Sequence, residues 1–319
     1  MPTATLVETV SFGYLEKMHS IPFYPDSVPL TLEHGDLLQP YLLKWRHGVS
    51  ELSMASLYPF TKKRNYTVSR YENTQGESHF LFIGQQTQNE VMEDYAFLPG
   101  GYPGPYMVEK LFSHIAEINT ISEQSAPIWK AEIEANHPKL IIGEDRDNAD
   151  YLYERKSLVD LVGQSLHKKL AHVLHFVEDH PDRVLIPAEL ANPHDMVQVL
   201  DGWAKGRDVI EDYNATLLAI EQLRNLNLKG AVLYAGNTPV AFTLGEYDGC
   251  TRFIIHIEKA IPDVRGVYQY INRAFAASLP DSVKTVNREQ DLGIPGLRQA
   301  KLTYKPASFG MKYRIRAQA

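Results

Sequence analysis

Hydrophobic residues in the second half of the chain follow two different periods. Short apolar runs bounded by turn residues predict β-strands, whereas apolar residues at positions i, i+3 and i+4 predict amphipathic helices. The segment Gly236-Asn-Thr-Pro239 lies between two such runs and predicts a β-hairpin. The predicted elements are a helix over 208–227, strands over 231–234, 240–244 and 253–258, a helix over 267–277 and a strand over 283–287.

The first half of the chain shows nearly the same order of elements. Its predicted elements are strands over 66–71, 79–83 and 95–98, a helix over 108–121 and a strand over 126–131, followed by a strand over 150–156 and a helix over 162–176. A segment rich in Gly and Pro, 99–106, takes the place of the later turn 261–268. The pattern predicts an α/β protein with mixed sheets, made of two similar halves, 1–150 and 151–319, around a central cleft that holds the ligand.

The composition is that of a globular protein without a membrane span. Of the 319 residues 44% are hydrophobic, and no run of about 18 or more apolar residues occurs. The N-terminal residues lack the basic and apolar pattern of a secretory signal. Cys250 is the only cysteine, which excludes intrachain disulfides and thiolate metal clusters, and its predicted place in a turn does not favour a catalytic thiol. We therefore expect a cytoplasmic protein.

Charge is unevenly distributed along the chain. The formal net charge is −7, but the segment from Lys284 to Ala319 has eight basic residues against two acidic ones, a local charge of +6. The total argues against a protein that coats nucleic acid over a broad surface. The basic segment is either a solvated face or a local docking surface for a phosphate-rich partner.

A candidate anion site lies between the predicted strand 253–258 and the predicted helix 267–277. The first turn of a helix leaves backbone N–H groups unpaired, and these groups, with the helix dipole, favour a phosphate or carboxylate. Arg265 adds a positive charge, and Gly266 permits a tight turn. An ordinary loop would explain the same residues. If the turn binds the phosphates of a carrier, the residues that bind it are Val264, Arg265, Gly266, Val267 and Tyr268.

Several segments resemble a known family. They are Asp150-Tyr-Leu-Tyr-Glu-Arg155, Gly163-Gln-Ser-Leu-His-Lys-Lys169, Ile257-Glu-Lys-Ala260, Gly266-Val-Tyr-Gln-Tyr-Ile-Asn272 and Asn287-Arg-Glu-Gln-Asp-Leu-Gly-Ile-Pro-Gly-Leu-Arg-Gln-Ala-Lys-Leu-Thr-Tyr-Lys-Pro306. Through these segments the chain resembles the phosphatidylglycerol lysyltransferase C-terminal domain-like proteins, a group of tandem GNAT-fold proteins. The resemblance covers most of the chain and is strongest from Asp150 onward.

The resemblance implies two tandem GNAT-like halves and a transferase activity. Relatives in this group move an aminoacyl group from charged tRNA to a lipid headgroup, and their fold is that of acyl-CoA N-acyltransferases. We therefore expect no tightly bound cofactor. The expected donor is acyl-CoA or aminoacyl-tRNA, and the expected acceptor is an amine or hydroxyl of a small molecule or lipid headgroup.

Some positions depart from the family pattern. Leu170, Ala171 and Leu174 stand in a stretch where polar residues are common in the family, and Ser56 stands where Asn is common. If those polar positions hold the substrate, this chain has changed or lost it. The departures keep open the alternative of a non-catalytic ligand-binding protein on the same fold.

Acyl transfer needs a polarised carbonyl and an acceptor that loses its proton. In a GNAT-like site a splayed third strand, here around Ile255 to Glu258, provides backbone N–H groups for the carbonyl. Glu258, at the end of that strand, and Glu289, after the returning strand, are the candidate bases, with Arg288 beside them. The alternative is that these charged residues only form ion pairs.

Basic and aromatic residues are candidates for contact with phosphate or with the 3′ end of a tRNA. They are Arg155, Lys168, Lys169 and Lys301, with Tyr304 in the same run as Lys301. Adjacent residues of a helix diverge by about 100 degrees, so Lys168 and Lys169 cannot contact one atom. His172 and His175 lack the i, i+4 spacing and the further ligands of a helical zinc site, and no metal is predicted.

Overall fold

The computed structural model describes residues 18, 20–88, 90–207, 212–249 and 251–318. Contacts between residues divide the chain into two compact units. Unit 1 comprises Met1–Asp145 and Met311–Ala319, and unit 2 comprises Arg146–Gly310. The division lies near the predicted boundary at 150/151, but the end of the chain belongs to unit 1. Cys250 lies outside the described residues.

Unit 1 contains one seven-stranded sheet with short helices. Its strands are β1 (Val28–Pro29), β2 (Thr67–Glu72), β3 (Ser78–Gln88), β4 (Val91–Phe97), β5 (Glu117–Ser122), β6 (Leu140–Glu144) and β14 (Lys312–Ala317). Its α-helices are α1 (Gly35–Trp45), α2 (Met54–Leu57), α3 (Thr61–Arg64), α4 (Pro105–Leu111) and α5 (Ala126–Asn136), with 3-10 helices over Leu32–His34 and Tyr58–Phe60. The predicted hairpin of β2 and β3 is confirmed.

Unit 2 contains a second seven-stranded sheet. Its strands are β7 (Asp150–Glu154), β8 (Val184–Pro187), β9 (Lys229–Ala235), β10 (Thr238–Asp248), β11 (Arg252–Ala260), β12 (Thr285–Asn287) and β13 (Ser308–Gly310). Its α-helices are α6 (Arg155–Asp160), α7 (His167–Asp179), α8 (Pro193–Ala204), α9 (Tyr213–Glu221), α10 (Val267–Ser278) and α11 (Pro295–Leu302), with a 3-10 helix over Arg146–Asn148. The first residues of the predicted helix 208–227 lie outside the described residues.

The two sheets have corresponding strand orders. In unit 1 the order is β1-β2-β3-β4-β5-β14-β6, and in unit 2, counted from the other edge, it is β8-β9-β10-β11-β12-β7-β13. In both sheets the fourth and fifth strands are parallel and all other neighbours are antiparallel. This order of antiparallel strands, helix and parallel strand is GNAT-like. The predicted α/β fold with mixed sheets is therefore confirmed.

Two elements of the first half were predicted wrongly. The predicted helix 108–121 contains only the end of α4, and its second part is β5. The β-branched residues Ile118, Thr120 and Ile121 favour a strand there. The predicted strand 126–131 is the start of α5, where Pro127 occupies a first-turn position that suits a residue without a free N–H.

Helix α10 forms much of the core of unit 2. Its buried residues Val267, Ile271 and Phe275 follow helical spacing, as the sequence predicts, and the helix packs against α6 and α7. Gly266, the residue before it, has a φ of 76°, and a Cβ there would lie 2.1 Å from the carbonyl oxygen of His172 in α7. Glycine is therefore required for the close approach of the two helices. Among the described residues, no helix is long and apolar enough to cross a membrane.

Candidate functional site

The parallel strands β11 and β12 part in the middle of unit 2. They pair only over Arg252–Ile254 and Thr285–Asn287, after which β12 ends while β11 continues to Ala260. No other strand in the described part of unit 2 pairs with β11 on this side. The backbone of β11 after Ile254 therefore borders an opening between the strands, as predicted for a splayed third strand.

A β-bulge lies where the strands part. In the pairing of β10 with β11, Leu244 lies opposite Ile257 and Gly245 lies opposite Ile255, which leaves His256 as the extra residue. A Cβ on Gly245 would lie 1.9 Å from the carbonyl oxygen of Ile254, so only glycine fits at this point. Bulges bend a strand and re-aim a side chain. Here the bulge sets the direction of His256.

Glu258 and Arg288 form an ion pair at the opening. Arg288 donates to the Glu258 carboxylate at 2.9 Å, with side chains 15% and 11% exposed. The guanidinium lies 5.0 Å from the ring centre of Tyr304 and 5.9 Å from that of Tyr153. Burial alone would lower the pKa of Arg288, but the charge of Glu258, its hydrogen bond and the neighbouring Tyr304 and Tyr153 together raise this pKa. Asn272 of α10 also donates to Glu258, at 3.4 Å.

Two lysines lie close to this pair. Lys301 of α11 donates to the carbonyl oxygens of Arg288, at 2.7 Å, and Gln290. Burial, together with the Arg288 charge, lowers the pKa of Lys301 to about 8. The Nζ of Lys169 lies 4.6 Å from the ring centre of Tyr304, and burial and the Arg288 charge lower the pKa of Lys169 as well. The charges of Glu289, Asp150 and Asp291 act on Lys301 in the opposite direction and raise its pKa in part.

His256 lies between two carboxylates. Its Nδ1 is 2.7 Å from Glu289 and its Nε2 is 3.0 Å from Glu246, and its side chain is only 6% exposed. Burial alone would lower the pKa of His256, but the hydrogen bonds to Glu246 and Glu289 outweigh it and raise this pKa to about 9. His256 is therefore an imidazolium at neutral pH, and both of its N–H groups donate.

The segment after β12 holds Glu289 in a left-handed conformation. Its φ is 55°, its N–H donates to the Asn287 side chain at 2.7 Å, and its carbonyl accepts the N–H of Tyr151 at 3.1 Å. Asn287 in turn donates to Asp150 at 2.9 Å. A non-glycine residue in this conformation needs support from its surroundings, and such residues concentrate at functional sites.

Asp291 anchors the same segment to helix α11. Its carboxylate accepts hydrogen bonds from the Tyr151 hydroxyl at 2.6 Å and from Arg298 at 2.8 and 2.9 Å. Arg146 lies 3.3 Å away, and the N–H of Gly293 donates at 2.9 Å. Burial would raise the pKa of Asp291, but the hydrogen bonds from Arg298 and Tyr151 hold it well below its usual range. Asp291 is therefore a structural anion.

The residues predicted for carrier phosphates, 264–268, surround the N-terminus of α10. Gly266 faces helix α7, as its close approach to His172 shows. Tyr268 donates to the carbonyl of Ala260 at 3.4 Å, and Arg265 is exposed. The glycine of this turn is thus explained by helix packing, and its presence does not by itself indicate a phosphate site.

Two further predicted contact residues lie apart from the ion pair. Arg155 donates to the carbonyls of Ala276 and Ala277 and to Asp281, at the C-terminus of α10. Lys168 is exposed on α7. The structure therefore brings together Glu258, Arg288, Lys169, Lys301 and Tyr304, and it places Glu289 on the adjoining segment.

His256, Glu246 and Asn272 were not identified from the sequence. A single histidine within an apolar strand gives no periodic signal, and the bulge that redirects it depends on pairing with β10. Gly245, between Leu244 and Glu246, was the one available sign, because an isolated glycine within a strand suggests a bulge or a close backbone approach.

Several solved structures have a similar fold. A conserved protein of unknown function from Bacteroides thetaiotaomicron is similar with a TM-score of 0.74 and 24% identity, over 92% of this chain and 99% of that one. A C-terminal domain assigned to lysylphosphatidylglycerol synthetase from Agrobacterium fabrum is similar with a TM-score of 0.54 and 13% identity, over 88% and 93%. For L-PGS from Bacillus licheniformis the values are 0.50 and 11%, over 82% and 90%. At these identities the likeness concerns the fold.

Sequence comparison gives one further relative and the family. An uncharacterized protein from Mycoplasmoides gallisepticum is 26% identical over 183 residues, which are 55% of this chain and 58% of that protein. The chain thus spans less than two thirds of the length of this curated relative. Residues 45–316 match the family described as phosphatidylglycerol lysyltransferase, C-terminal, and this match covers the segments that form the site. The chain belongs to the phosphatidylglycerol lysyltransferase C-terminal family.

Proposed function

We propose that unit 2 transfers an aminoacyl group from an ester donor, such as aminoacyl-tRNA, to a hydroxyl or amine acceptor. The observation that carries this proposal is the group of buried cations at the point where β11 and β12 part. Family membership agrees with a transferase, because the family is described by a lysyltransferase.

The cations suit a donor that carries phosphate groups. Arg288 is paired with Glu258, and its charge lowers the pKa of both Lys169 and Lys301, so the three cations repel one another. An anion would offset this repulsion and would accept hydrogen bonds from the guanidinium and the ammonium groups. The ring of Tyr304, which lies against both Arg288 and Lys169, adds a flat surface.

The geometry supports an aminoacyl-tRNA more than acyl-CoA as the donor. A CoA site of the predicted kind would use the turn at Gly266, but packing against α7 already accounts for that glycine. The cation group lies instead around Arg288 and Lys301, in the basic C-terminal part of the chain. A 3′-terminal nucleotide with its phosphate matches a set of cations beside an aromatic ring.

The opening also supplies the groups for an acyl transfer. Backbone N–H groups of a strand without a partner can stabilise the oxyanion that forms when the acceptor attacks the ester carbonyl. The ester C–O bond then breaks, and the ribose hydroxyl leaves with the proton that the acceptor gives up. We propose that Glu289, on the adjoining segment, takes the proton from the acceptor and gives it to the leaving ribose oxygen, because its carboxylate is partly exposed.

A non-catalytic binding function is the second candidate. Both predicted bases are engaged in ion pairs, Glu258 with Arg288 and Glu289 with His256. A site in which every carboxylate has a cationic partner can bind a ligand without acting on it. This candidate predicts donor binding without turnover.

The experiment compares donor binding and transfer in one preparation. We expect aminoacyl-tRNA to raise the unfolding free energy, by about 2.7 kcal/mol at 100 times its dissociation constant, and acetyl-CoA to raise it little. Release of the aminoacyl group to a lipid and metabolite extract is then measured with radioactive donor. We expect Arg288→Lys and Lys301→Met to abolish both effects, whereas the exposed Lys168→Met serves as control. Stabilisation by acetyl-CoA alone would contradict the choice of donor, and binding without transfer would favour the second candidate.

A further inference from the structure

His256 connects the bulge of β11 to the segment that carries Arg288 and Glu289. We propose that protonated His256 is a positioning residue, which fixes residues 288–290 in the conformation that the transfer reaction requires. This inference rests on the proposed function, because it assigns His256 a part in the same reaction. It concerns a residue that acts through Glu289 and that does not itself touch the substrate.

The contacts of His256 make it a bridge between a rigid strand pair and a constrained segment. On one side Nε2 meets Glu246 of β10, at 3.0 Å, and on the other Nδ1 meets Glu289, at 2.7 Å. The imidazole itself sits in the bulge that Gly245 permits. Its position is therefore set by the pairing of β10 with β11, and its contact with Glu289 fixes the position of the Glu289 carboxylate.

The segment has little intrinsic tendency to adopt its conformation. Glu289 has a φ of 55°, which costs free energy for a residue with a side chain. Backbone bonds from Tyr151 and the side chain of Asn287 support it, and Lys301 holds the neighbouring carbonyls. Without the imidazolium, the Glu289 carboxylate would lose its hydrogen-bonded cation and the segment would keep only these supports.

The charge state of His256 decides how well it bridges. An imidazolium donates to both carboxylates, whereas a neutral imidazole has one N–H and turns a lone pair toward the second carboxylate. The charged groups that act on His256 are Glu246 from β10 and Glu289 from the segment, with Lys301 of α11 near Glu289. The two carboxylates raise the pKa of His256 to about 9, so the bridge is complete at neutral pH.

Hydrogen exchange of the segment tests the bridge directly. The N–H groups of Arg288 and Glu289 are both hydrogen-bonded, to the Tyr151 carbonyl and to the Asn287 side chain. In full-length His256→Gln at pH 7, we expect these two amides to exchange about tenfold faster or more, while the amides of the β9–β10 hairpin change little. The exposed His194→Gln is the matched control. Unchanged exchange at 288–289 in a folded His256→Gln protein would overturn the inference.

Glu246→Gln is a milder variant for the case in which His256→Gln does not fold. It keeps the size of the side chain but removes one of the two charges on His256. We expect the His256 titration, followed by NMR, to move to lower pH, and the protection of residues 288–289 to be lost at correspondingly lower pH after correction for intrinsic exchange. If His256 titrates lower and the segment stays protected above that pH, the imidazolium does not hold it.

Transfer activity separates this inference from the proposed function. With an active wild type, we expect Glu246→Gln to lower kcat about tenfold or more with little change in KM. We also expect the fall of kcat at alkaline pH to begin at a lower pH than in the wild type. Wild-type kcat in a variant whose segment is loosened would overturn the positioning role. If the wild-type chain transfers nothing, the proposed function fails, and the exchange data still decide whether His256 fixes the segment.

Discussion

The two parallel strand pairs, β4–β5 in unit 1 and β11–β12 in unit 2, occupy the same place in their sheets but end differently. In unit 1 the last pair is Ala96 with Ile118, and β4 ends at the next residue, Phe97. In unit 2 the last pair is Ile254 with Asn287, and β11 continues to Ala260. Only the second arrangement leaves a long strand with charged side chains bordering an opening.

The charged side chains near the two parallel strand pairs also differ. In unit 1, β14 presents Lys312, Arg314 and Arg316 at every second position, and each has a carboxylate partner. Those partners are Glu51, Asp145 and Glu117. In unit 2 Arg288 is paired with Glu258, and its charge lowers the pKa of the neighbouring Lys169 and Lys301. Ion pairs fix a strand in a sheet, whereas cations that repel one another favour a nearby anion.

Truncating one buried cation in each unit should give the largest effects. Lys312, 1% exposed, is paired with Glu51, and Arg288 is paired with Glu258, so replacement by Ala removes the cation of an ion pair in each unit. We expect each change to cost about 3–5 kcal/mol of unfolding free energy. Only Arg288→Ala should also abolish donor binding, measured at a temperature where both variants remain folded.

Arg288→Lys keeps a positive charge and is the control for folding. We expect it to be more stable than Arg288→Ala and still to show no donor binding, since a lysine lacks the planar guanidinium that lies 5.0 Å from the ring centre of Tyr304. Loss of donor binding in Lys312→Ala, equal to that in Arg288→Ala, would mean that the comparison of the two charge sets is wrong.

The sequence predicted the elements of unit 2 better than those of unit 1 for a physical reason. The hairpin of β9 and β10, strand β11 and helix α10 each have a clear period and a local turn. In unit 1 the short β5 follows α4 closely. The spacing of Val108 and Leu111 in α4 and of Ile118 and Ile121 in β5 fits one continuous helix as well as a helix followed by a strand. Elements this short contain too few repeats of the hydrophobic pattern to distinguish a helix from a strand.

Most of what the sequence did not predict concerns which strands that are distant along the chain lie side by side in a sheet. No local signal indicates that β14 inserts between β5 and β6, or that β7 lies beside β12. The charged residues of the site were predicted by type and by resemblance, but their partners depend on such pairings. Glu289 was considered as a base without its partner His256, because the bulge that aims His256 arises from the register of two strands.

The two units should differ in the pH range over which they lose stability. Burial would raise the pKa of Glu117 of unit 1, but hydrogen bonds from Asn119, Arg316 and Gln86 lower it overall, so its contribution is present above its unfolded pKa and is lost as the pH falls. His256 of unit 2 has a pKa raised from 6.5 to about 9, so its contribution is complete below pH 6.5 and is lost as the pH rises to about 9. This difference corresponds to at most about 3 kcal/mol.

Denaturant unfolding from pH 4 to 10 measures these contributions. We expect Glu117→Gln to flatten the acid side of the stability profile and His256→Gln to flatten the alkaline side. Asp291 gives unit 2 an acid-sensitive contribution as well, since its pKa is held low, so the distinguishing feature is the alkaline loss. An unchanged alkaline profile in folded His256→Gln would show that His256 is not protonated in the native protein.

Glycine-to-alanine changes compare the two sheets at the points where the parallel pairs part. Gly245 in β10 and Gly84 in β3 lie opposite the strands that separate. A Cβ at Gly245 meets the backbone of Ile254 at 1.9 Å, whereas one at Gly84 meets ring atoms of Tyr66 and Tyr95 at 2.6 to 2.8 Å. We expect Gly245→Ala to cost about 3 kcal/mol and Gly84→Ala about 1–2 kcal/mol, because rings can shift and a paired backbone cannot.

Gly143 in β6 is the control for these changes, because nothing lies within 4 Å of a Cβ there. We expect Gly143→Ala to stay within about 0.5 kcal/mol of the wild type in denaturant unfolding. Equal costs at Gly245 and Gly84 would show that the bulge in unit 2 is no more constrained than the regular pairing in unit 1.

The smallest expected effect concerns Arg155, which the sequence proposed as a substrate contact. In the structure it donates to the carbonyls of Ala276 and Ala277, the last turn of α10, and to the exposed Asp281. A cation at a helix C-terminus stabilises unpaired carbonyls and the helix dipole, so Arg155→Ala should cost about 1 kcal/mol. Asp281→Ala should cost less, since that carboxylate is exposed. Because these contacts are with the C-terminus of α10 and not with the Glu258–Arg288 pair, we expect unchanged donor affinity in Arg155→Ala. A weakened affinity at unchanged stability would instead place Arg155 in the binding site.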